Sequence, residues 1–261
     1  MNNRLPGFSL PTAALALCAL TAFSLLPEPS VVAQEAAASQ AAVGQKKKRD
    51  VNPVLKPIQE QAGLPRVLLI GDSISMGYTV PVREMLQGRA NVVRPLTNCG
   101  PTSRGVESID AWLGDGKWDV IHFNFGLHDM VFYSADGKER AEPTAAGARY
   151  QVSLEQYEQN LQKLVARMKQ TGAVLIWCTT TPVPEGSAGR RADDALIFNQ
   201  VAAKVMSEHN IRTNDLHAWA SARLSDIQQP KNVHFSPAGS KVLAEQVVRS
   251  IEAALPAKGT R

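Results

Sequence analysis

Apolar residues fall along this chain in two alternating rhythms. Unbroken runs at Val67-Leu68-Leu69-Ile70 and at 173–178, and the largely apolar stretch 118–125, read as strands buried on both faces. Between them the spacing turns helical. The clearest case is 153–169, where Leu154, Tyr157, Leu161, Leu164, Val165 and Met168 share one face and Gly172 follows the end. Apolar positions 106, 109, 112 and 113 predict a second helix, and 79–90 a third with Pro81 in its first turn. Shorter runs at 91–96 and 211–216 complete a set of five strands, and 192–207 and 236–255 read as further helices. Residues 130–152 are mostly polar or small, with Gly137, Pro143 and Gly147, which predicts a long surface loop near the site. Strands alternating with helices predict one three-layer α/β domain over 64–261, a parallel five-stranded sheet with helices on both faces.

The first 63 residues break this pattern. Arg4, the apolar run 13–26 and the small residues Val31-Val32-Ala33 read as a cleaved signal peptide over 1–33, with an uncleaved anchor as the lesser alternative. The run is shorter than the roughly 20 residues a membrane span needs, and the mature chain holds no transmembrane segment. Cleavage near Gln34 implies a secreted or periplasmic protein. Cys18 raises the question of a lipid anchor, but the bulky Leu17 before it argues against one. Residues 34–63, rich in Ala, Gln and Lys without an apolar period, read as a flexible linker. It contains the densest basic run, Lys46-Lys47-Lys48-Arg49, in a chain of formal charge +4. With no aromatics interleaved, the run reads as a solvated tail rather than a nucleic-acid surface, although a tail binding polyanions is a weaker alternative. Cleavage leaves Cys99 and Cys178, which are too few for a disulfide scaffold and leave their own pairing open. No Cys/His spacing suggests zinc, so no metal or cofactor is expected.

The candidate chemistry sits where strands end, the place ligands occupy in an open α/β sheet. Gly71-Asp72-Ser73 follows the first strand, Asn98-Cys99-Gly100 the second and Gly126-Leu127-His128-Asp129 the third. Asn232-Val233-His234-Phe235-Ser236-Pro237 opens the last helix. Ser73 at a strand-to-helix turn suits a nucleophile beside unpaired backbone amides, and equally suits a helix cap. His122 lies inside an apolar run and reads as a packed core residue. His209 and His217 flank the fifth strand, with nothing tying them to the other candidates.

These four blocks, in this order over residues 66 to about 250, resemble the SGNH hydrolases, also called the GDSL esterase/lipase family. The resemblance implies a flavodoxin-like sheet and a serine esterase without a cofactor. Ser73 then resembles the nucleophile and first oxyanion donor, Gly100 the second donor (Gly105 being an alternative), and His234 the general base. The chain departs from the family twice. His128 stands where the third block usually has Asn, and one ring nitrogen of a histidine can still donate to an oxyanion. Lys231 stands three residues before His234, where the family has its acid, and a lysine cannot accept the imidazole N–H. Asn232, a backbone carbonyl, Asp226 or Asp215 is then needed to orient the ring. Asn199, on the helix after the fourth strand, reads as structural.

Two classes of function follow. One is a secreted esterase acting on small acyl esters, O-acetyl groups on carbohydrate foremost, with lysophospholipase or thioesterase activity also open. The other is a carbohydrate-binding module that keeps the fold and has lost turnover. The expected partner is an ester or polysaccharide substrate, and no nucleic acid.

Overall fold

The computed structural model describes residues 52–114 and 116–256. The signal peptide, the Lys46–Arg49 run and the linker as far as residue 51 lie outside the described residues. Residues 52–63, assigned by composition to the linker, make specific contacts. A 3-10 turn at Pro53–Leu55 buries Val54, and Gln61 exchanges two hydrogen bonds with Asn91 at 2.8 and 2.9 Å. Composition is blind to a partner thirty residues away.

The apolar runs form the sheet: β1 (Arg66–Ile70), β2 (Asn91–Val93), β3 (Val120–Phe123), β6 (Val174–Cys178) and β7 (Arg212–Asn214). All its neighbours are parallel, in the order β2-β1-β3-β6-β7. The long helices are α1 (Ser73–Met85), α2 (Thr102–Leu113), α3 (Leu154–Lys169), α4 (Asp194–Glu208) and α7 (Pro237–Glu252). From β1 the chain runs to β2 on one side, then reverses and adds β3, β6 and β7 on the other. Right-handed crossovers in opposite directions put their helices on opposite faces. Accordingly α1 packs with α7, while α2, α3 and α4 pack in series. The reversal leaves a crevice between the carboxyl ends of β1 and β3.

Three elements differ from the sequence expectation. Helix α1 begins at Ser73 rather than near 79, because the Asp72 carboxylate caps it by accepting the Ile74 N–H at 2.9 Å. Pro81 thus lies inside the helix rather than in its first turn. The segment 130–152 is not simply a surface loop. It contains the antiparallel pair β4 (Phe132–Tyr133) and β5 (Arg149–Tyr150) and buries Met130, Val131, Phe132 and Val152. An aromatic stack of Phe132, Tyr150 and Phe198, with ring centres 4.6 and 5.2 Å apart, seats the pair on α4. Finally, two short helices, α5 (Leu216–Ser221) and α6 (Leu224–Ile227), lead into the loop before α7. Cys99 and Cys178 are buried free thiols. Among the described residues no helix is long and apolar enough to cross a membrane.

Candidate active site

Ser73 is the first residue of α1, so its N–H is one of the amides that no helical carbonyl satisfies. The turn beneath it is rigid. Ser75 Oγ donates to the Asp72 carbonyl at 2.8 Å, and a Cβ at Gly71 would meet the Ser75 side chain at 2.8 Å, which keeps position 71 a glycine. Arg94 is buried immediately behind. Its guanidinium donates to Ser75 Oγ at 3.1 Å, Thr79 Oγ1 at 2.9 Å and the carbonyls of Gly71 at 3.1 Å, Thr97 at 3.2 Å and Pro95 at 3.2 Å. All five of these acceptors are neutral oxygens, and burial pulls the guanidinium pKa downward while Asp72 opposes it from nearby.

His234 arrives on the loop that follows α6, closed at its stem. Gln228 and Phe235 form a β-bridge, and Ser236 N–H donates to the Ile227 carbonyl at 2.9 Å. Ser236 then caps α7 by accepting the Gly239 N–H, and Pro237 opens the helix. This brings His234 Nε2 to 2.9 Å from Ser73 Oγ. On the other side of the ring, Nδ1 lies 2.8 Å from Asn232 Oδ1. The same Oδ1 lies 3.0 Å from the His234 backbone N–H, which can only donate. The amide must therefore present its oxygen, so Nδ1 carries the ring proton and Nε2 keeps a lone pair for the Ser73 hydroxyl. Asn232 Nδ2 donates to Gln229 Oε1 at 3.1 Å, which holds the amide in that orientation.

Of the three side chains named to orient His234, Asn232 alone reaches it. Asp215 caps α5, accepting from Ala218 N–H at 3.0 Å and Thr179 Oγ1 at 3.1 Å. Asp226 accepts from Ser225 Oγ at 3.0 Å. Among the described residues no carboxylate forms an ion pair with His234. Lys231 takes a left-handed backbone, φ 54°, and its aliphatic stem lies over Gly186.

His128 lies half-buried in the turn after β3. Gly126 permits that turn, since at φ 145° any Cβ would come within 2.2 Å of Thr180 Oγ1. Burial comes first in lowering the His128 pKa; Asp72 opposes it, and Arg190, Arg140 and Arg104 reinforce it, which favours a neutral ring with one N–H to donate. Asp129 next to it braces the site rather than facing it. Its Oδ1 accepts Thr102 N–H at 2.8 Å and Thr102 Oγ1 at 2.5 Å, tying the third block to the start of α2. Burial raises its pKa to about 7 against the pull of those two bonds.

Gly100 adopts φ 66°, but its N–H donates to Asn98 Oδ1 at 3.0 Å, so this amide is already engaged within its own turn. Serving an oxyanion there requires exchange of that bond. The alternative Gly105 is buried inside α2, where a Cβ would strike the Phe125 ring at 2.9 Å, a packing role. Asn199 clamps Thr180 from both sides, accepting its N–H at 2.8 Å and donating to its carbonyl at 2.9 Å. His122 is fully buried, with Asn214 Nδ2 3.1 Å from its Nε2. Sequence reasoning missed Arg94. Its only signal was a charge at the end of the apolar strand Asn91–Val93.

The family profile described as GDSL-like lipase/acylhydrolase matches residues 69–242. No curated protein sequence matches the chain. Among solved structures, the chain is similar to a lipase/acylhydrolase from Enterococcus faecalis, with a TM-score of 0.60 at 19% identity, covering 76% of this chain and 100% of that one. It is similar to an acetyl xylan esterase from Geobacillus stearothermophilus, with a TM-score of 0.58 at 19% identity over 74% and 97% of the two chains. The acetyl xylan esterase AlAXEase gives 0.56 at 14% identity over 71% and 99%. At these identities the structural likeness concerns the fold.

Proposed function

The chain belongs to the GDSL-like lipase/acylhydrolase family and is a carboxylic ester hydrolase; from that premise we propose that it cleaves small acyl esters through an acyl-enzyme formed on Ser73. The observation that carries this reading is the line from Asn232 Oδ1 through the His234 ring to Ser73 Oγ, with steps of 2.8 and 2.9 Å. Ser73 Oγ attacks the ester carbonyl carbon while its proton passes to His234 Nε2. The carbonyl electrons move onto oxygen, facing the Ser73 N–H and a ring N–H of His128. When the intermediate collapses, the C–O bond to the alcohol breaks and His234 returns the proton to the leaving oxygen. Water then repeats the sequence on the acyl-enzyme, releasing the acid and restoring Ser73. Asn232 fixes the tautomer throughout without carrying charge.

The favoured substrate is an O-acetyl group on carbohydrate. Two structural neighbours that are acetyl xylan esterases support this. We further propose export, with residues 1–33 removed, on the strength of the charged start, apolar run and small-residue site. Fluorophosphonate labelling with peptide mapping, followed by a panel of acetyl to hexanoyl esters, tests the function. Label on Ser73 alone, acetyl preferred, and loss of turnover in Ser73→Ala are the expected results. A protein that takes no label and turns over no ester is instead a binding module.

A further inference from the structure

Five salt bridges join surface cations to carboxylates among the described residues, and none involves Arg104, Arg140 or Arg190. These three come from different segments of the chain, and Arg190 and Arg104 are each tied to a turn of the candidate site. Arg190 Nε donates to the Leu127 carbonyl at 2.8 Å, beside His128, while its terminal nitrogens have no acceptor among the described residues. Arg140 is brought next to it by a chain of backbone bonds. Phe132 N–H donates to the Gly189 carbonyl at 2.9 Å, Ala141 N–H donates to the Phe132 carbonyl at 2.9 Å, and Tyr133 bridges Arg140. Its exposed guanidinium has no partner among the described residues. Arg104 crosses the second-block turn, its Cδ 3.3 Å from where a Cβ of Gly100 would stand, and donates to Thr97 Oγ1 at 3.0 Å.

We propose that Arg104, Arg140 and Arg190 form an anion subsite at the mouth of the active site, which selects esters bearing a carboxylate or sulfate group. The inference rests on the esterase reading above and adds to it the charge of the substrate. Like charges gathered without counter-ions repel one another, so the arrangement is relieved by an anion from outside. The three charges all act on His128, and Arg140 adds to burial in pulling Arg190 down to about 10. The carboxylate that acts on both His128 and Arg190, Asp72, is buried as the cap of α1 and cannot turn outward. Guanidinium forks suit the planar oxygens of a carboxylate and the tetrahedral oxygens of a sulfate. Placed around His128, they hold the substrate's anion beside the carbonyl that reacts.

Matched ester pairs test this. On the alcohol side, the acetyl esters of 4-hydroxybenzoate and 4-hydroxybenzenesulfonate are compared with that of neutral 4-hydroxybenzamide. On the acyl side, 4-nitrophenyl hemisuccinate is compared with 4-nitrophenyl butyrate. In at least one pair kcat/KM for the anionic member should exceed the neutral one by about 10–100-fold, the range for a hydrogen bond to a charged group. The pair that shows it tells which side of the ester carries the charge, and the two alcohol-side anions separate a planar carboxylate from a tetrahedral sulfonate standing in for sulfate. Arg190→Gln and Arg140→Gln should each cut that ratio about tenfold. Arg140→Gln is the safer variant, since no contact within the fold depends on its guanidinium. Ratios near one in every pair, with neutral esters still turned over at Ser73, would remove the subsite and leave the esterase standing. If no ester is turned over, the esterase reading fails. NMR titration of Ser73→Ala with the carboxylate and carboxamide esters then decides the subsite. Tighter binding of the carboxylate ester, weakened by adding Arg190→Gln, upholds it, and equal or absent binding overturns it.

Discussion

Two imidazoles in this protein each meet an asparagine amide, and the difference between the pairs is which end of the amide they meet. His122, sealed in the sheet, faces the Asn214 Nδ2, so its Nε2 must accept. His234, in an exposed loop, faces the Asn232 Oδ1, so its Nδ1 must donate and its Nε2 lies open toward Ser73. The first pair uses up the lone pair that the second pair sets free. A histidine's chemistry is thus decided by the amide's orientation and the solvent around it. Carboxylates enter neither pair.

The comparison can be broken most severely at the exposed ring. His234→Ala should lower kcat by about 10⁴-fold or more, as removal of a serine's base does elsewhere, whereas His122→Ala should leave labelling of Ser73 intact and act on stability. Asn232→Ala comes next. Loss of the tautomer-fixing acceptor should cost about 10³-fold in kcat with little change in KM, below the roughly 10⁴-fold seen when a carboxylate partner is replaced. His128→Ala should cost about 10²-fold in kcat, with His128→Asn milder, since an amide restores one donor. Equal losses in both would mean that the ring packs rather than donates.

The buried pair is tested by pH. Burial holds the His122 pKa down at about 4, against 6.5 for the free side chain. Between those values the unfolded chain binds the proton and the folded chain does not, so stability present above pH 6.5 is lost as pH falls to 4. The shift corresponds to about 3 kcal/mol. Asp129, raised to about 7, acts with the opposite sign over the same window, so the His122 contribution is read by difference: the stability of the native chain relative to His122→Gln should fall between pH 7 and 4.5, as urea midpoints of both proteins would show. The smallest effect sharpens the exposed pair. Asn232→Asp should raise kcat several-fold and move the acid limb of its pH profile upward, because a carboxylate beside the ring favours the protonated form, which is inactive as a base.

Long-range order explains what sequence reasoning reached and what it did not. Continuous apolar runs made β1 and β6 legible, a mostly apolar stretch made β3 so, and the stripe from Leu154 to Met168 made α3 legible. The β4–β5 pair was not, because two-residue strands carry no period and are held by Phe198 from another segment. Helix α1 began early because its cap is a side-chain bond rather than a composition. In the site, Ser73 and His234 announced themselves by motif, and Asn232 stood among the acceptors named for the ring. The engagement of the Gly100 amide by Asn98 is a local turn that no pattern encodes. The three arginines were invisible, since positions 104, 140 and 190 become neighbours only through the fold.

The loop bearing His234 has a consequence of another kind. The base, its amide partner and the bridge that closes the stem all fall within residues 227–239, and a Cβ at Gly239 would collide with the Ile227 carbonyl at 2.2 Å, so the two ends are clasped backbone to backbone. Half of the proton-transfer apparatus is therefore a cassette, exchangeable as one short insert. A segment with an aspartate three residues before its histidine can be grafted between those ends while the sheet, the nucleophile turn and the arginines stay as they are. Amide-guided and carboxylate-guided versions of the same base then become two settings of one scaffold, to be compared without rebuilding anything else.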